Sequence, residues 1–411
     1  LIKLINMQRS EVATPYLSAR EAAAELGVSL PTLYAYVSRG LVRSEPVPGE
    51  RARRYRAEDV RALRERRAPP AGGSPTATRN APFSFGTPVL SSAITLITED
   101  ALYYRGVSAV ALAQHATLET AAGLLWQTAD YDAFEPRNLP VRTPALRAVT
   151  DAMRTSHPVD RCIAALAVAG DADDAAFNKT DHGLARTAAR ITRLLTALVG
   201  GGSIDALPIH VQLADAWGLD KTGADLVRMA LVLLADHELN ASTFTLRCAV
   251  STEANLYDGM IAALAALKGP LHGGATTRAE RQLAKLLDGD PLRRIREQAE
   301  VGERFAGFGH PLYRHGDPRA KALLDALETR MGNTLLTREV PEAVYKIVGV
   351  HPNVDYALAA LAHALELPEF AGIGLFAIGR SVGWAAHARE QLREHALIRP
   401  RAIYTGPAPA V

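Results

Sequence analysis

Four short stretches decide how this chain is read: Ala235-Asp236-His237-Glu238-Leu239-Asn240, Gly269-Pro270-Leu271-His272-Gly273-Gly274, Gly307-Phe308-Gly309-His310-Pro311-Leu312-Tyr313 and Pro352-Asn353-Val354-Asp355. Each sets a histidine or an aspartate beside glycine, proline or asparagine. Such neighbours place a polar side chain at a helix end or in a turn, not on a core face. A lone histidine in this setting is usually a structural residue. Three histidines and an aspartate, each so placed, point to a chemical site. A metal centre is the rival reading. The chain has neither an H-E-x-x-H helix nor paired cysteines, so no metal is expected.

Outward from these stretches, apolar residues recur at helical spacing, as at Leu146, Val149 and Met153 and again at Leu358, Leu361 and Leu365. Glycine and proline punctuate them at Gly200 to Gly202, at Gly269-Pro270 and at His351-Pro352-Asn353. The triple glycine reads as a loop, since no Lys-Ser/Thr follows to make a phosphate cradle. Alanine and leucine abound and β-branched runs are rare, which favours helix. The expected fold class is therefore all-α. The run from Met229 to Ala235 falls far short of the roughly 20 residues a membrane span needs, and reads as a buried core helix. Leu1 to Ser10 lacks a secretory signal, Met7 is a candidate start, and a soluble cytoplasmic protein is expected. Cys162 and Cys248 suit neither a disulfide framework nor a cysteine zinc site.

Charge divides the chain. Residues 1–67 hold 13 Lys+Arg against 8 Asp+Glu, a net +5; the remainder, 33 against 36, is net −3. Residues 68–82, APPAGGSPTATRNAP, are too poor in apolar side chains to fold and read as a flexible linker to a body at 83–411. In the basic unit, Ser18 is placed to cap a helix through Ala22, Ala23 and Leu26, with Glu21 in the capping-box position. After Gly27, Ser29 starts a second helix with Leu33 and Val37 facing inward. That helix would offer Thr32, Tyr34, Tyr36 and Arg39 to a DNA groove. Arg51, Arg53 and Arg54 lie in a hairpin candidate suited to phosphates. The pattern YLSAREAAAELGVSLPTLYAYVSRGLV followed by RRYRAEDV resembles the winged helix-turn-helix of the MerR and excisionase families, which implies a partner in duplex DNA.

The body resembles citrate synthases over most of residues 85–406. ADHELNASTF, GPLHGGA, GFGH…GDPRA, PNVD and IGRSVGWAAHAREQ occur in that family's order. The resemblance implies a homodimer of two-domain helical protomers, with a small domain at about 274–360 that closes over acetyl-CoA and oxaloacetate. It implies an acyltransferase of the tricarboxylic acid cycle with no cofactor, the coenzyme A thioester being itself a substrate. His272 would polarise the thioester carbonyl, Asp355 would remove the methyl proton, and His310 would polarise the ketone. His237, Arg319 and Arg380 would hold oxaloacetate, Arg399 would reach the partner subunit's site, and Arg314 would lie near coenzyme A phosphate. The chemistry wants these types: a carboxylate base acting while a donor stabilises the enolate oxygen, and guanidinium forks for a dianion.

Departures from the family pattern are few. Thr276 and Thr277 stand where Asn-Glu is usual, Leu234 replaces a histidine, Tyr356-Ala357-Leu358 replace Phe-Tyr-Ser, and Pro311-Leu312 replace Arg-Val. They bear on the acyl pocket and coenzyme contacts, so 2-methylcitrate synthase activity on propionyl-CoA is the sibling reading. A transcriptional regulator whose body senses acyl-CoA or oxaloacetate is the reading from another class. Arg105 is expected in a fold-stabilising ion pair, and Trp384 in the core.

Overall fold

The computed structural model describes residues 16–26, 28, 30–38, 42–47, 53–57, 59–60, 63, 89–128, 130–313, 315–402 and 404–407. The chain forms two compact units, Leu1–Val89 and Leu90–Val411. The linker expected at 68–82 lies outside the described residues.

In the first unit β1 (Tyr16–Ser18) leads into α1 (Ala19–Leu26) and α2 (Leu30–Ser38), followed by β2 (Ser44–Pro46) and β3 (Arg53–Arg56). The capping box forms as expected: the Ser18 amide donates to Glu21 Oε2 at 2.8 Å, and the Glu21 amide donates to Ser18 Oγ at 3.3 Å. Ala22, Ala23 and Leu26 bury one face of α1 against Leu33, Val42, Tyr55 and Val60. The strands pair antiparallel in the order β1-β3-β2, with Tyr55 opposite both Leu17 and Ser44. Two helices and a small sheet make a winged helix-turn-helix.

The second unit opens with an antiparallel sheet, β4 (Thr95–Ile97), β5 (Leu102–Tyr104) and β6 (Val107–Ser108). It continues through α3 (Ala109–Ala113), α4 (Leu118–Trp126), α5 (Pro144–Ala152), α6 (Pro158–Asp171), α7 (Asp181–Gly200), α8 (Ile209–Trp217) and α9 (Lys221–Leu234). Then come α10 (Ala241–Val250), α11 (Leu256–Leu267), α12 (Gly274–Leu287), α13 (Pro291–Glu300), α14 (Pro318–Met331), α15 (Val340–Val348), α16 (Val354–Ala364) and α17 (Ala371–Glu394). No described helix is long and apolar enough to cross a membrane.

The centre of this unit is α17. Its residues from Ala371 to Arg389 are all buried, with α4, α7, α9 and α10 packed around it. A helix without a polar stripe belongs inside. Glycine within a helix costs about 1 kcal/mol relative to alanine, so its presence here has a packing reason. A Cβ on Gly379 would lie 2.8 Å from Leu231 O, and one on Gly383 would lie 2.3 Å from both Ala235 O and Asp236 Oδ1. The Gly383 amide donates to Ala235 O at 2.9 Å, so α17 meets the end of α9 backbone to backbone. Trp384 is in the core, as expected. Arg105 differs from expectation: its guanidinium donates to the Leu125 and Ala93 carbonyls instead of a carboxylate partner. Its φ of 49° turns the chain at the β5–β6 corner, and the nearby Glu390 carboxylate accepts from the Ala93 amide instead.

The α9–α17 contact is testable. Gly383→Ala should destabilise the protein by about 2 kcal/mol, because overpacking against backbone outweighs alanine's helix preference. Urea denaturation measures it, and an unchanged midpoint would refute the close approach.

Candidate active site

The turn between α9 and α10 is built by buried polar groups. Asp236 is fully buried; its Oδ2 accepts from the Thr95 hydroxyl at 2.5 Å and from the Glu238 amide at 3.0 Å, with His387 Nε2 at 3.4 Å. Glu238 takes φ +56°, and Asn240 then caps α10 by accepting from the Thr243 amide at 3.1 Å. The chain reversal holds His237 with its Nε2 3.0 Å from the Tyr313 hydroxyl.

His272 sits in the turn between α11 and α12. Its Nε2 is 2.7 Å from Ser242 Oγ. The same hydroxyl lies 2.8 Å from Asn240 Oδ1, to which it can donate, and accepts from Trp384 Nε1 at 3.2 Å. Phe376 of α17 meets the His272 ring edge-on at 5.9 Å.

The remaining two stretches bind each other. The Gly309 amide donates to His351 O and the Asn353 amide to Gly307 O, both at 2.8 Å, and Asn353 Nδ2 donates to Gly309 O at 2.9 Å. Gly307 has φ +80°, and a Cβ there would lie 2.8 Å from the Tyr356 backbone nitrogen, so only glycine fits. His310 is thereby set 5.4 Å from His237 and 4.8 Å from Tyr313, ring to ring. Its Nδ1 accepts from the Leu312 amide at 3.2 Å, which leaves the proton of the neutral ring on Nε2. Asp317 caps α14 and takes the Arg319 fork, Nε at 3.0 Å and Nη2 at 2.8 Å. Its Oδ2 also accepts from the Val354 amide at 3.0 Å, tying Arg319 to the start of α16, where Asp355 projects. Asp355 Oδ1 accepts from Thr276 Oγ1 at 2.5 Å.

Burial and two guanidiniums set the charges. Burial pulls His272 and His310 each down to about 4, assisted by Arg380 at His272 and by Arg319 at His310. Burial, then Arg319 and Arg380, hold His237 well below the usual imidazole range. All three rings are neutral at pH 7. Burial pushes Asp355 up to about 6 against the opposing pull of Thr276 and Arg319. Arg380 is fully buried; burial lowers it to about 10, so it stays charged. Its Nε donates to Leu234 O at 2.9 Å, while Nη1 and Nη2 are buried with no protein partner. Unpaired buried donors are costly, and a carboxylate is the group that meets a guanidinium bidentately.

The fold thus brings His237, His272, His310, Arg319, Arg380 and Asp355 into one electrostatic network, in which Arg319 acts on His237, His310 and Asp355, and Arg380 on His237 and His272. Ser242, Tyr313 and Asp317 also belong to it, unread from sequence as functional, as does Thr276, which the sequence marked only as a departure from the family pattern. Only Asp317, as the cap before Pro318, carried a local signal. Arg399 lies apart: it is exposed on the C-terminal segment, whose Ile398 amide donates to Ser251 Oγ at 3.1 Å. No described hydrogen bond or ion pair joins Arg399 to the network. Arg314, Arg39, Arg51 and the Thr32 side chain lie outside the described residues.

In the winged unit Tyr34 is exposed, but Tyr36 is partly buried against the small core. Arg53 donates to Ser44 Oγ and Ser44 O, both at 3.0 Å. Arg54 pairs with Glu45 at 3.1 Å and lies 4.2 Å over the Tyr16 ring. Both arginines brace the sheet in this structure.

Buried neutral histidines, a raised carboxylate and a buried guanidinium with two open nitrogens suit an acyltransferase of the kind that converts an acyl group to an alkyl group on transfer. Residues 84–401 match the family described as citrate synthase, C-terminal domain, and residues 16–68 match a helix-turn-helix domain. The chain belongs to the citrate synthase family. It is 31% identical over 355 residues to citrate synthase 2 of Bacillus subtilis, covering 78% of this chain and 95% of that protein. It is 28% identical over 347 residues to 2-methylcitrate synthase of Mycobacterium tuberculosis, covering 75% and 85%. Among solved structures, the citrate synthase of Thermoplasma acidophilum in ternary complex with carboxymethyl coenzyme A and oxaloacetate superposes with a TM-score of 0.69 at 26% identity, covering 79% and 96%.

The raised Asp355 has a consequence for stability. An acid whose folded value is about 6, above its ordinary 3.8, favours the fold below pH 4 and loses that contribution as pH rises through 6. Asp355→Asn should therefore be more stable than wild type at pH 8 by about 3 kcal/mol, with little difference left at pH 4. Urea unfolding at the two pH values decides it; a gain independent of pH would contradict the raised value.

Proposed function

We propose that the body condenses acetyl-CoA with oxaloacetate and water to give citrate and coenzyme A. The observation that carries this reading is the pair of unpaired, buried Nη atoms of Arg380, close to the neutral rings of His237 and His272. Arg380, Arg319 and His237 hold the oxaloacetate carboxylates. Asp355 removes a methyl proton from the thioester while a hydrogen bond from His272 stabilises the enolate oxygen. The Ser242 hydroxyl serves one acceptor at a time. Donated to His272 Nε2, it puts the imidazole proton on Nδ1, available to the thioester carbonyl. His310 donates from Nε2 to the ketone oxygen as the enolate carbon attacks the ketone carbon. Water then hydrolyses the citryl thioester, releasing coenzyme A.

The reading extends to a homodimer in which Arg399 completes the partner subunit's site and Arg314 meets coenzyme A phosphate. Closure of residues 274–360 would exclude water until the carbon–carbon bond forms. The likeness to a 2-methylcitrate synthase supports propionyl-CoA as a second acyl donor, since one methylene changes discrimination by only about 1–3 kcal/mol. The winged unit is read as a DNA-binding module. Its helix-turn-helix fold, exposed Tyr34 and +5 charge support that role. In a dimer, two such units would face a two-fold-related site.

A coenzyme A release assay with oxaloacetate and a panel of acyl-CoAs tests the catalytic reading. Turnover is expected with acetyl-CoA, and the ratio to propionyl-CoA assigns the preference; no release with any thioester would leave the sensing body of a regulator. Asp355→Asn should lose nearly all turnover while oxaloacetate binding persists. Arg380→Leu should raise the apparent constant for oxaloacetate far more than that for acyl-CoA, a loss of about 2–5 kcal/mol from leaving a carboxylate unpaired. For the winged unit, the full-length protein is used to select binders from random duplexes at moderate salt. An enriched site that is lost with residues 1–67, while synthase turnover remains, is the expected outcome. Retained sequence preference after deletion, or no enrichment at all, would reject the module as the DNA reader.

A further inference from the structure

We propose that Thr276 is a positioning residue for Asp355: its hydroxyl holds Oδ1, fixes the rotation of the carboxylate, and leaves Oδ2 to take the substrate proton. The inference rests on the reading of Asp355 as the base. Thr276 Oγ1 lies 2.5 Å from Asp355 Oδ1. Among the described residues no other hydrogen bond reaches that carboxylate. Without Thr276 the group would be free to turn about its terminal bond, for which the torsional wells are broad.

Thr276 is itself immobilised. It is fully buried in the first turn of α12, and its amide donates to Gly273 O at 3.0 Å. A threonine in a helix divides between two rotamers, because its hydroxyl can also turn back to a backbone carbonyl. Here the methyl group selects one. A Cβ on Gly372 of α17 would lie 2.8 Å from Thr276 Cγ2, so the glycine leaves room for the methyl and for little more. With the methyl seated against α17, the hydroxyl faces Asp355. The aim of the base is thus set from α17, the helix that also carries Arg380.

A hydroxyl suits the task through the whole proton transfer. It donates to Oδ1 of the ionised carboxylate, and it still donates to Oδ1 once the substrate proton is on Oδ2. Because the bond is stronger to the charged form, it also draws the base downward against its burial. Thr276 therefore acts on two quantities that separate experimentally: the pH at which the base ionises and the orientation of the oxygen that accepts.

The test compares Thr276→Ala with Thr276→Ser in the full-length protein, a pair that differs only in the hydroxyl. The pH profile of kcat is measured by coenzyme A release with acetyl-CoA and oxaloacetate. In the alanine variant the acid limb should move up by about one pH unit, and the plateau should fall about tenfold, as expected for a hydrogen bond to a charged group and a less oriented base. The KM for oxaloacetate should stay within about twofold, since that substrate is held by other groups. Serine should return the acid limb to the wild-type position and recover only part of the plateau, because it lacks the methyl that selects the rotamer. An acid limb in the same place in wild type and Thr276→Ala overturns the proposal, as does a stably folded Thr276→Ser whose limb matches alanine. Asp355→Asn measured alongside separates the two ideas. Near-wild-type turnover there removes Asp355 as the base, whereas an inactive Asp355→Asn with an unmoved alanine limb removes only the role of Thr276.

Discussion

The close approach of α17 to the end of α9 is the constraint on which the site depends. Leaving out side chains at Gly379 and Gly383 lets the buried helix touch the Leu231 and Ala235 carbonyls. That contact fixes where α9 stops, and therefore where the turn carrying Asp236 and His237 begins. It also sets Arg380, which lies between the two glycines, with its Nε on Leu234 O. One more methyl group between the helices would draw the guanidinium away from Leu234 O, the carbonyl that its Nε now reaches. Interiors packed to crystal density transmit such displacements instead of absorbing them.

A second organising element is Asp317. One buried carboxylate caps α14, takes the Arg319 fork and accepts the Val354 amide. The positions of a cation and of Asp355 are thereby made dependent on each other. The buried pair has little value as a stabilising device, because desolvation offsets most of the attraction. Its value lies in geometry and in field. Arg319, paired with Asp317, still acts on His237 and His310, while Arg380 keeps its two outer nitrogens unpaired. The histidines are neutral because burial and these cations both oppose a further positive charge. Neutral imidazoles are hydrogen-bond donors that leave the charge of a bound dianion to the arginines.

Much of this was legible locally. Glycine, proline and asparagine around His237, His272, His310 and Asp355 announced turns and helix starts, and each of the four occupies one. Ser18 and Glu21 announced the first helix of the winged unit and formed the capping box. Ser242 and Thr276 were not legible, because a hydroxyl within a helical run reads the same whether it faces solvent, backbone or a catalytic group. Arg54, read as a phosphate contact, also pairs with Glu45 and lies over Tyr16 in the fold, and no local pattern announces either partner.

The sequence by itself determined the helical class, the division into a basic unit and a larger body, and the identities of the polar groups placed at chain reversals. Each of these follows from periodicity, composition or the backbone preferences of neighbouring residues, all of which act over a few positions. Tertiary structure alone decided that those reversals converge, that the two Nη atoms of Arg380 have no protein partner, and that Thr276 faces Asp355. Their contacts join residues separated by tens to hundreds of positions, as with Thr276 and Asp355, 79 apart, and Arg380 and Leu234, 146 apart. Which side of a helix meets which neighbour is settled by packing and by the space that glycines leave, and no local pattern encodes it.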